Sequence, residues 1–179
     1  MDALTLLKER RSVRVFSDKK VDRDIMKDLI KTATYAPSWA NSQPVRYTIV
    51  EDPDLLRQIA EEGYTFPGNS KVLQNAVGAV VLSYTNGKSG YSPDGKPAST
   101  KGDTWSMFDA GIAAQQFCLA AYEKGIGTVM QGLFDEQKIA KILDLPKEAI
   151  VAVVIPYGYE TKHPVLRPRL SVDEVACFK

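Results

Sequence analysis

Residues 76–84 read Ala-Val-Gly-Ala-Val-Val-Leu-Ser-Tyr, an apolar run of strand length. A strand with one wet face alternates apolar and polar residues, whereas a run without alternation suits a strand covered on both faces. The chain must therefore supply cover for two sides of a sheet. Asp22 is placed to cap a helix whose Ile25, Met26, Leu29, Ile30 and Ala33 form one stripe. Residues 2–10 carry Leu4 and Leu7 one helical turn apart. A long helix is expected over residues 104–124, with Phe108, Ile112, Gln115 or Gln116, and Leu119 spaced by turns and Gly125 ending it. Its many alanines permit close packing, which puts it at the centre of the fold. Asp52-Pro53 and Asp135 each open a further helix, and residues 45–50, 127–130 and 149–155 read as strands.

Three stretches are irregular. Residues 37–44 form a loop between Pro37 and Pro44, residues 85–103 are rich in Gly, Ser, Pro and Lys, and the tail from 166 to 179 shows no clear pattern. Helices and strands interleave at uneven spacing. That favours an α+β sandwich with a mixed central sheet over a regular doubly wound one. At 179 residues the chain is expected to be a single domain.

Several chemistries lack their parts. A net charge of +1, with both signs interspersed, gives no broad field for nucleic acid or anionic lipid. The single histidine, His163, has no Gly-x-Ser-x-Gly partner, and two distant cysteines, Cys118 and Cys177, do not make a zinc site. Cys118 sits in an apolar helical pattern and reads as a small core residue. No P-loop is present. Gly125-Ile126-Gly127-Thr128 starts like a dinucleotide fingerprint, but Met130 stands at the third glycine position and a helix precedes it where a strand is required. Met1-Asp2-Ala3-Leu4 has no signal-peptide layout and no run approaches a membrane span, so cytoplasm is the expected compartment.

What remains is a set of four segments. Arg10-Arg11-Ser12-Val13-Arg14 offers three guanidiniums and a hydroxyl, a combination suited to phosphate oxygens. Pro37-Ser38-Trp39-Ala40-Asn41-Ser42-Gln43-Pro44 carries amides that both donate and accept. Gly127-Thr128-Val129-Met130-Gln131-Gly132 ends in a glycine that lets another group approach backbone closely. Arg167-Pro168-Arg169-Leu170 supplies a second basic pair. Together, from about residue 4 to residue 170, they resemble the FMN-dependent nitroreductases.

The resemblance implies a three-layer α+β sandwich that binds FMN and works as a homodimer with FMN at the subunit interface. It implies Arg10, Arg11 and Ser12 as phosphate and ribityl ligands, with Arg14 near N1 and O2 of the flavin ring. Pro37, Ser38, Trp39, Asn41 and Gln43 would serve the flavin of the other subunit. Gln131 and Gly132 would lie against the ring, with a backbone N–H toward N5, and Arg167 and Arg169 would return to the phosphate. Relatives carry an asparagine after the loop 64–67; Gly68, Asn69 or Ser70 stands there, of which Asn69 has the amide, and Lys71 matches a basic position just beyond. The implied reaction is ping-pong transfer from NADH or NADPH through FMN to a nitroaromatic, a quinone or a similar small-molecule acceptor. No side-chain nucleophile is needed, since the flavin carries the chemistry. Competing readings keep the flavin but change the reaction to reductive dehalogenation or flavin fragmentation, or drop turnover for FMN storage. A non-flavin protein whose arginines bind another phosphate is the last of them. The chain is short for the family, with only a few residues past Leu170, and Trp39 is bulky for its loop.

Overall fold

The computed structural model of the protein describes residues 2–179. In chain order its elements are α1 (Ala3–Glu9), α2 (Arg23–Ala33), β1 (Val45–Val50), α3 (Pro53–Gln58), α4 (Pro67–Gln74), β2 (Gly78–Thr85), α5 (Thr104–Glu123), β3 (Ile126–Thr128), α6 (Glu136–Ile142), β4 (Ala149–Tyr159) and α7 (Val172–Val175). A 3-10 turn at Trp39–Asn41 precedes β1, and a π turn at Ile59–Gly63 extends α3.

The strands form one four-stranded sheet in the order β1-β2-β4-β3. β2 occupies an interior position, and its side chains divide as the apolar run requires. Val80, Leu82 and Tyr84 join Leu29, Phe117 and Ile155 in one core, on the side of α2 and α5. Ala79 and Val81 join Ile59, Leu73, Ile139 and Val154 in the other, on the side of α3, α4 and α6. The result is three layers, helix–sheet–helix.

All strand pairs are antiparallel, which corrects the expected mixed sheet. The one parallel pairing among the described residues is the isolated bridge between Ser12 and Thr128. The uneven spacing has a different cause. The excursion through α3 and α4 leaves the sheet at Val50 and re-enters beside it, where Val50 pairs with Ala79. Such a connection is a long hairpin, so the strands it joins run opposite ways.

Local signals fix most helix ends. The carboxylates of Asp22, Asp52 and Asp135 each accept backbone N–H groups of the first turn, and Pro53 takes the position where its missing N–H costs nothing. Gly125 follows α5 at φ 73°, a left-handed stop that suits glycine. In α5, however, the buried stripe is Ser106, Asp109, Ala110, Ala113, Ala114, Phe117, Cys118 and Ala121, one step round from the expected face. Phe108 stays 59% exposed. Small residues dominate the inward face, with Phe117 the one large side chain in it, because they let the helix approach the sheet and α2, while Met107 and Phe108 stay outside. Burial pushes the Cys118 thiol above its ordinary range, the setting of an unreactive core cysteine.

The edge strand β3 is set by one close approach. A Cβ on Gly127 would lie 2.8 Å from Val13 Cβ, Cγ1 and Cγ2, and Val13 is 1% exposed. The same juxtaposition lets the Val13 N–H donate to Thr128 O at 2.9 Å. The missing side chain of Gly127 is thus what lets the segment after α1 lie along β3. Gly127→Ala is expected to lose roughly 1–3 kcal/mol in urea unfolding, the scale for overpacking against a stiff β-branched neighbour. Val13→Ala in that background should recover part of the loss, because the two sites share one contact. Parent-like stability of Gly127→Ala would contradict the assignment.

Candidate functional site

The chain leaves α1 at Arg10, whose extended ψ of 131° stops the helix. One Arg11 nitrogen turns back to the carbonyls of Lys8 (2.5 Å) and Arg10 (3.0 Å). Its Nε is buried without a partner. An orphaned guanidinium N–H is costly to bury and marks a place where an acceptor fits. Arg14 is exposed and donates to Ser12 O at 3.1 Å. The tail brings residues 164–169 back to this segment, and together they enclose a cavity of about 810 Å³. Arg10, Arg11, Ser12, Arg14, Arg167 and Arg169 all line it, and no acid does. The two basic segments singled out in the sequence therefore meet.

Beyond β3 the chain continues along β4, where Gln131 exchanges backbone bonds with Val154 at 2.9 and 3.2 Å. The Gln131 N–H is thereby used within the protein, and the neighbouring Gly132 is exposed with nothing within 4 Å of where a Cβ would stand. The Gln131 side chain is buried. Its Oε1 accepts a hydrogen bond from the Tyr64 hydroxyl, and its Nε2 donates to Asn69 O at 3.4 Å. Burial raises the Tyr64 hydroxyl well above the ordinary tyrosine range, so it stays a donor. Asn69 and Lys71 lie in α4, a helix that Pro67 opens. Asn69, Gln131 and Gly132 thus belong to one neighbourhood.

The loop 37–44 stands elsewhere. It feeds β1, whose Val45 pairs with Tyr84 at one end of the sheet, while Thr128 pairs with Tyr157 at the other end and on the opposite edge. Three strand spacings alone separate the edges by about 14 Å. Pro37, Ser38 and Gln43 line a different cavity, of about 240 Å³, which shares no residue with the arginine-lined one. Within one chain, the basic segments and the 37–44 loop stand on a diagonal of the sheet, with Gln131 between them along the β4 edge at Val154.

The loop's backbone is unusual. Ala40, Asn41 and Gln43 all have positive φ, at 45°, 56° and 46°. A left-handed L-residue costs roughly 1–2 kcal/mol, so the surroundings must enforce this shape. Ser38 Oγ accepts the Gln43 N–H at 3.0 Å, and Asp109 Oδ2 accepts the Trp39 N–H at 3.0 Å. The Trp39 ring packs on Trp105 at 4.9 Å between centroids, and Trp105 meets Phe108 edge-on at 5.5 Å. Sequence reasoning missed Tyr64 and Asp109. Asp109 had a signal, as the one acid between Thr104 and Ala121, because an acid amid small apolar helix residues needs buried partners.

Among the described residues, no group of three or more His, Cys, Asp or Glu is arranged to hold a metal, and no helix is long and apolar enough to cross a membrane. The fold and cavity define an α+β sandwich with an arginine-lined cavity at one sheet edge. The Nitroreductase family pattern matches residues 7–65 and 75–159, and the chain belongs to that family. An Archaeoglobus fulgidus protein, provisionally named NADH dehydrogenase/NAD(P)H nitroreductase, is 29% identical over 88% of this chain and 85% of its own length. The iodotyrosine deiodinase of Thermotoga neapolitana is 28% identical over 93% of both chains. A structure from Exiguobacterium sibiricum solved in complex with FMN shares the fold at a TM-score of 0.83, with 19% identity over 100% of this chain and 98% of the other.

Tyr64→Phe would leave the buried Gln131 oxygen without its donor. The expected loss is about 1–3 kcal/mol of stability, read by chemical denaturation. The double variant with Gln131→Leu should lose less than the sum of the two single changes. Strict additivity would show that the pair does not act as one unit.

Proposed function

We propose that this protein is an FMN-dependent oxidoreductase that passes electrons from NADH or NADPH to nitroaromatic, quinone or similar electron-poor acceptors, as a homodimer in the cytoplasm. The observation that carries the reading is the cavity lined by Arg10, Arg11, Arg14, Arg167 and Arg169 with no acid among them. Five like charges around one space call for a strong anion, and the buried, partnerless Arg11 Nε shows that the protein alone leaves a donor unused. A phosphate monoester meets both conditions.

In this reading Arg10, Arg11, Ser12, Arg167 and Arg169 bind and orient the phosphate end of FMN. Asn69, Gln131 and Gly132 take the ring side, with the exposed Gly132 N–H the donor available there, since the N–H of Gln131 is already bonded to Val154. FMN, when bound, supplies two-electron chemistry in two half-reactions, the nicotinamide leaving before the acceptor enters. Arg14 favours negative charge on whatever it faces, and its position at the cavity suits it to tune the ring's potential. Pro37, Ser38, Trp39, Asn41 and Gln43 lie too far across the sheet to serve the same flavin in one chain. A second subunit brings them to it. The exposed apolar residues of the tail, Val165, Leu166, Leu170, Val172, Val175 and Phe178, fit an assembled state better than an isolated chain.

A second reading keeps the flavin and changes the acceptor to a halogenated phenol. The similarity to the Thermotoga neapolitana iodotyrosine deiodinase favours it, as does the aromatic ledge of Trp39, Trp105 and Phe108. Absorbance of the purified protein before and after NADPH, followed by turnover with menadione, a nitroarene and an iodophenol, separates these readings. NADPH oxidation with the first two supports the proposal, halide release supports the second reading, and a colourless protein indifferent to FMN sinks both. A flavin that is bound but never turned over would mark a binding module.

Three variants test the residue assignments. Arg169→Ala and Arg11→Ala should each weaken FMN binding by about 1.5–3 kcal/mol, the scale of a charge-assisted bond, with turnover at saturating FMN largely kept. Arg14→Met should instead lower the flavin midpoint potential by several tens of millivolts, about 30 mV corresponding to 1.4 kcal/mol in a two-electron couple. Unmoved affinity in the first pair removes the phosphate assignment; a potential equal to the parent's removes Arg14 from the ring.

A further inference from the structure

Asp109 is 3% exposed, lies on the inward face of α5 and has no cationic partner among its hydrogen bonds. Its Oδ2 accepts the backbone N–H of Trp39 at 3.0 Å and the hydroxyl of Ser89 at 2.6 Å. Ser89 is fully buried, and its Oγ is 2.7 Å from Ser42 Oγ. A carboxylate only accepts, so Ser89 gives Asp109 its one hydrogen, and Ser42 must donate to Ser89. Every hydrogen bond in this chain therefore runs toward Asp109. Both of its ends, the Trp39 N–H and the Ser42 hydroxyl, belong to the 37–44 loop, and its inner link, Ser89, belongs to the irregular 85–103 segment.

The loop between those two anchors contains the left-handed Ala40 and Asn41. Their own side chains do not hold them, since both are exposed. The flanking anchors at Trp39 and Ser42 do. An apolar residue at position 109 would suit the surrounding alanines, so a buried acid here has to be explained by what it holds. We propose that Asp109 is a positioning residue, fixing the 37–44 loop in the shape that meets a partner subunit's flavin and tying the 85–103 segment to that shape through Ser89. The flavin part rests on the function proposed above, and the tie itself does not.

The test has an arm that needs no flavin. Lys88 precedes Ser89, and both Lys88 and Lys101 are exposed in the tied segment, so limited trypsin digestion of the apoprotein reads its order. In Asp109→Ala and Ser89→Ala, cleavage after Lys88 and Lys101 should rise about tenfold, and the FMN dissociation constant should rise by a similar factor, as for a lost bond to a charged group. Asp109→Asn keeps an acceptor oxygen and should restore both readouts most of the way. Leu73→Ala, in the core on the other side of the sheet, is the control for plain destabilisation. Parent-like cleavage in Ser89→Ala overturns the tie, as does an equal rise in Leu73→Ala. Raised cleavage with unchanged FMN affinity overturns the flavin part. A parent that binds no FMN defeats the proposed function, and the digestion then tests the tie alone.

Discussion

Burial of β2 on both faces is the constraint from which the rest of the architecture follows. Val80 and Leu82 on one side, and Ala79 and Val81 on the other, are all inaccessible to solvent. Each valine or leucine withdrawn from water contributes about 1.5–3 kcal/mol, but only when both faces have helical cover. That requirement commits α2 and α5 to one layer and α3, α4 and α6 to the other. It also removes the middle of the sheet from any role in binding. The two basic segments and the 37–44 loop singled out by the sequence stand at the edges and ends of the sheet.

The two edges are not equivalent. At β3 the missing side chain of Gly127 admits Val13, and the basic segment is drawn alongside with it. This gathers five arginines around one cavity without a compensating acid. Such an arrangement is unfavourable to the protein alone, through self-repulsion and an unsatisfied Arg11 Nε. Places that break the rules of stable folding in this manner are where function is expected. At β1 the unfavourable feature is conformational instead, in the three left-handed residues of the 37–44 loop. Each of the two regions is thus unfavourable in its own way, and they sit on a diagonal of the sheet.

Much of this was legible in the sequence where the causes are local. Asp22, Asp52 and Asp135 cap the helices they precede, Gly125 ends α5, and residues 45–50 form β1 as read. The apolar run at β2 announced a covered sheet. The two basic segments, separated by some 150 residues, were paired by resemblance to a family, and the structure does bring them to one cavity. What escaped depends on distance in sequence or on neighbours. Pro67 signalled α4, but a short helix with few apolar residues is hard to tell from a turn. Which face of α5 turns inward is decided by how closely it must approach the sheet, and alanines carry almost no moment to read. Tyr64, which donates to Gln131, and Trp39, which donates to Asp109, lie 67 and 70 residues away, beyond any periodicity.

α5 connects these observations. One of its faces carries Asp109 and, through it, the Trp39 and Ser89 anchors. The adjacent face leaves Met107 and Phe108 open, at 45% and 59% exposure. A side chain of that size is not left in water without consequence when alanines fill the buried stripe, and in the dimeric reading this face is the natural one to be covered by another subunit. Covering it would restrict Trp105 as well, which packs between Phe108 and Trp39. The same helix would then hold the loop from within by hydrogen bonds and from without by aromatic packing. A loop kept in left-handed geometry by two independent constraints on one rigid element keeps its shape before any ligand arrives, which lowers the ordering cost of binding. On this argument the acid in the alanine-rich helix and the bulky residues beside it are parts of one device, although the first looks like a folding error and the second like an unburied core.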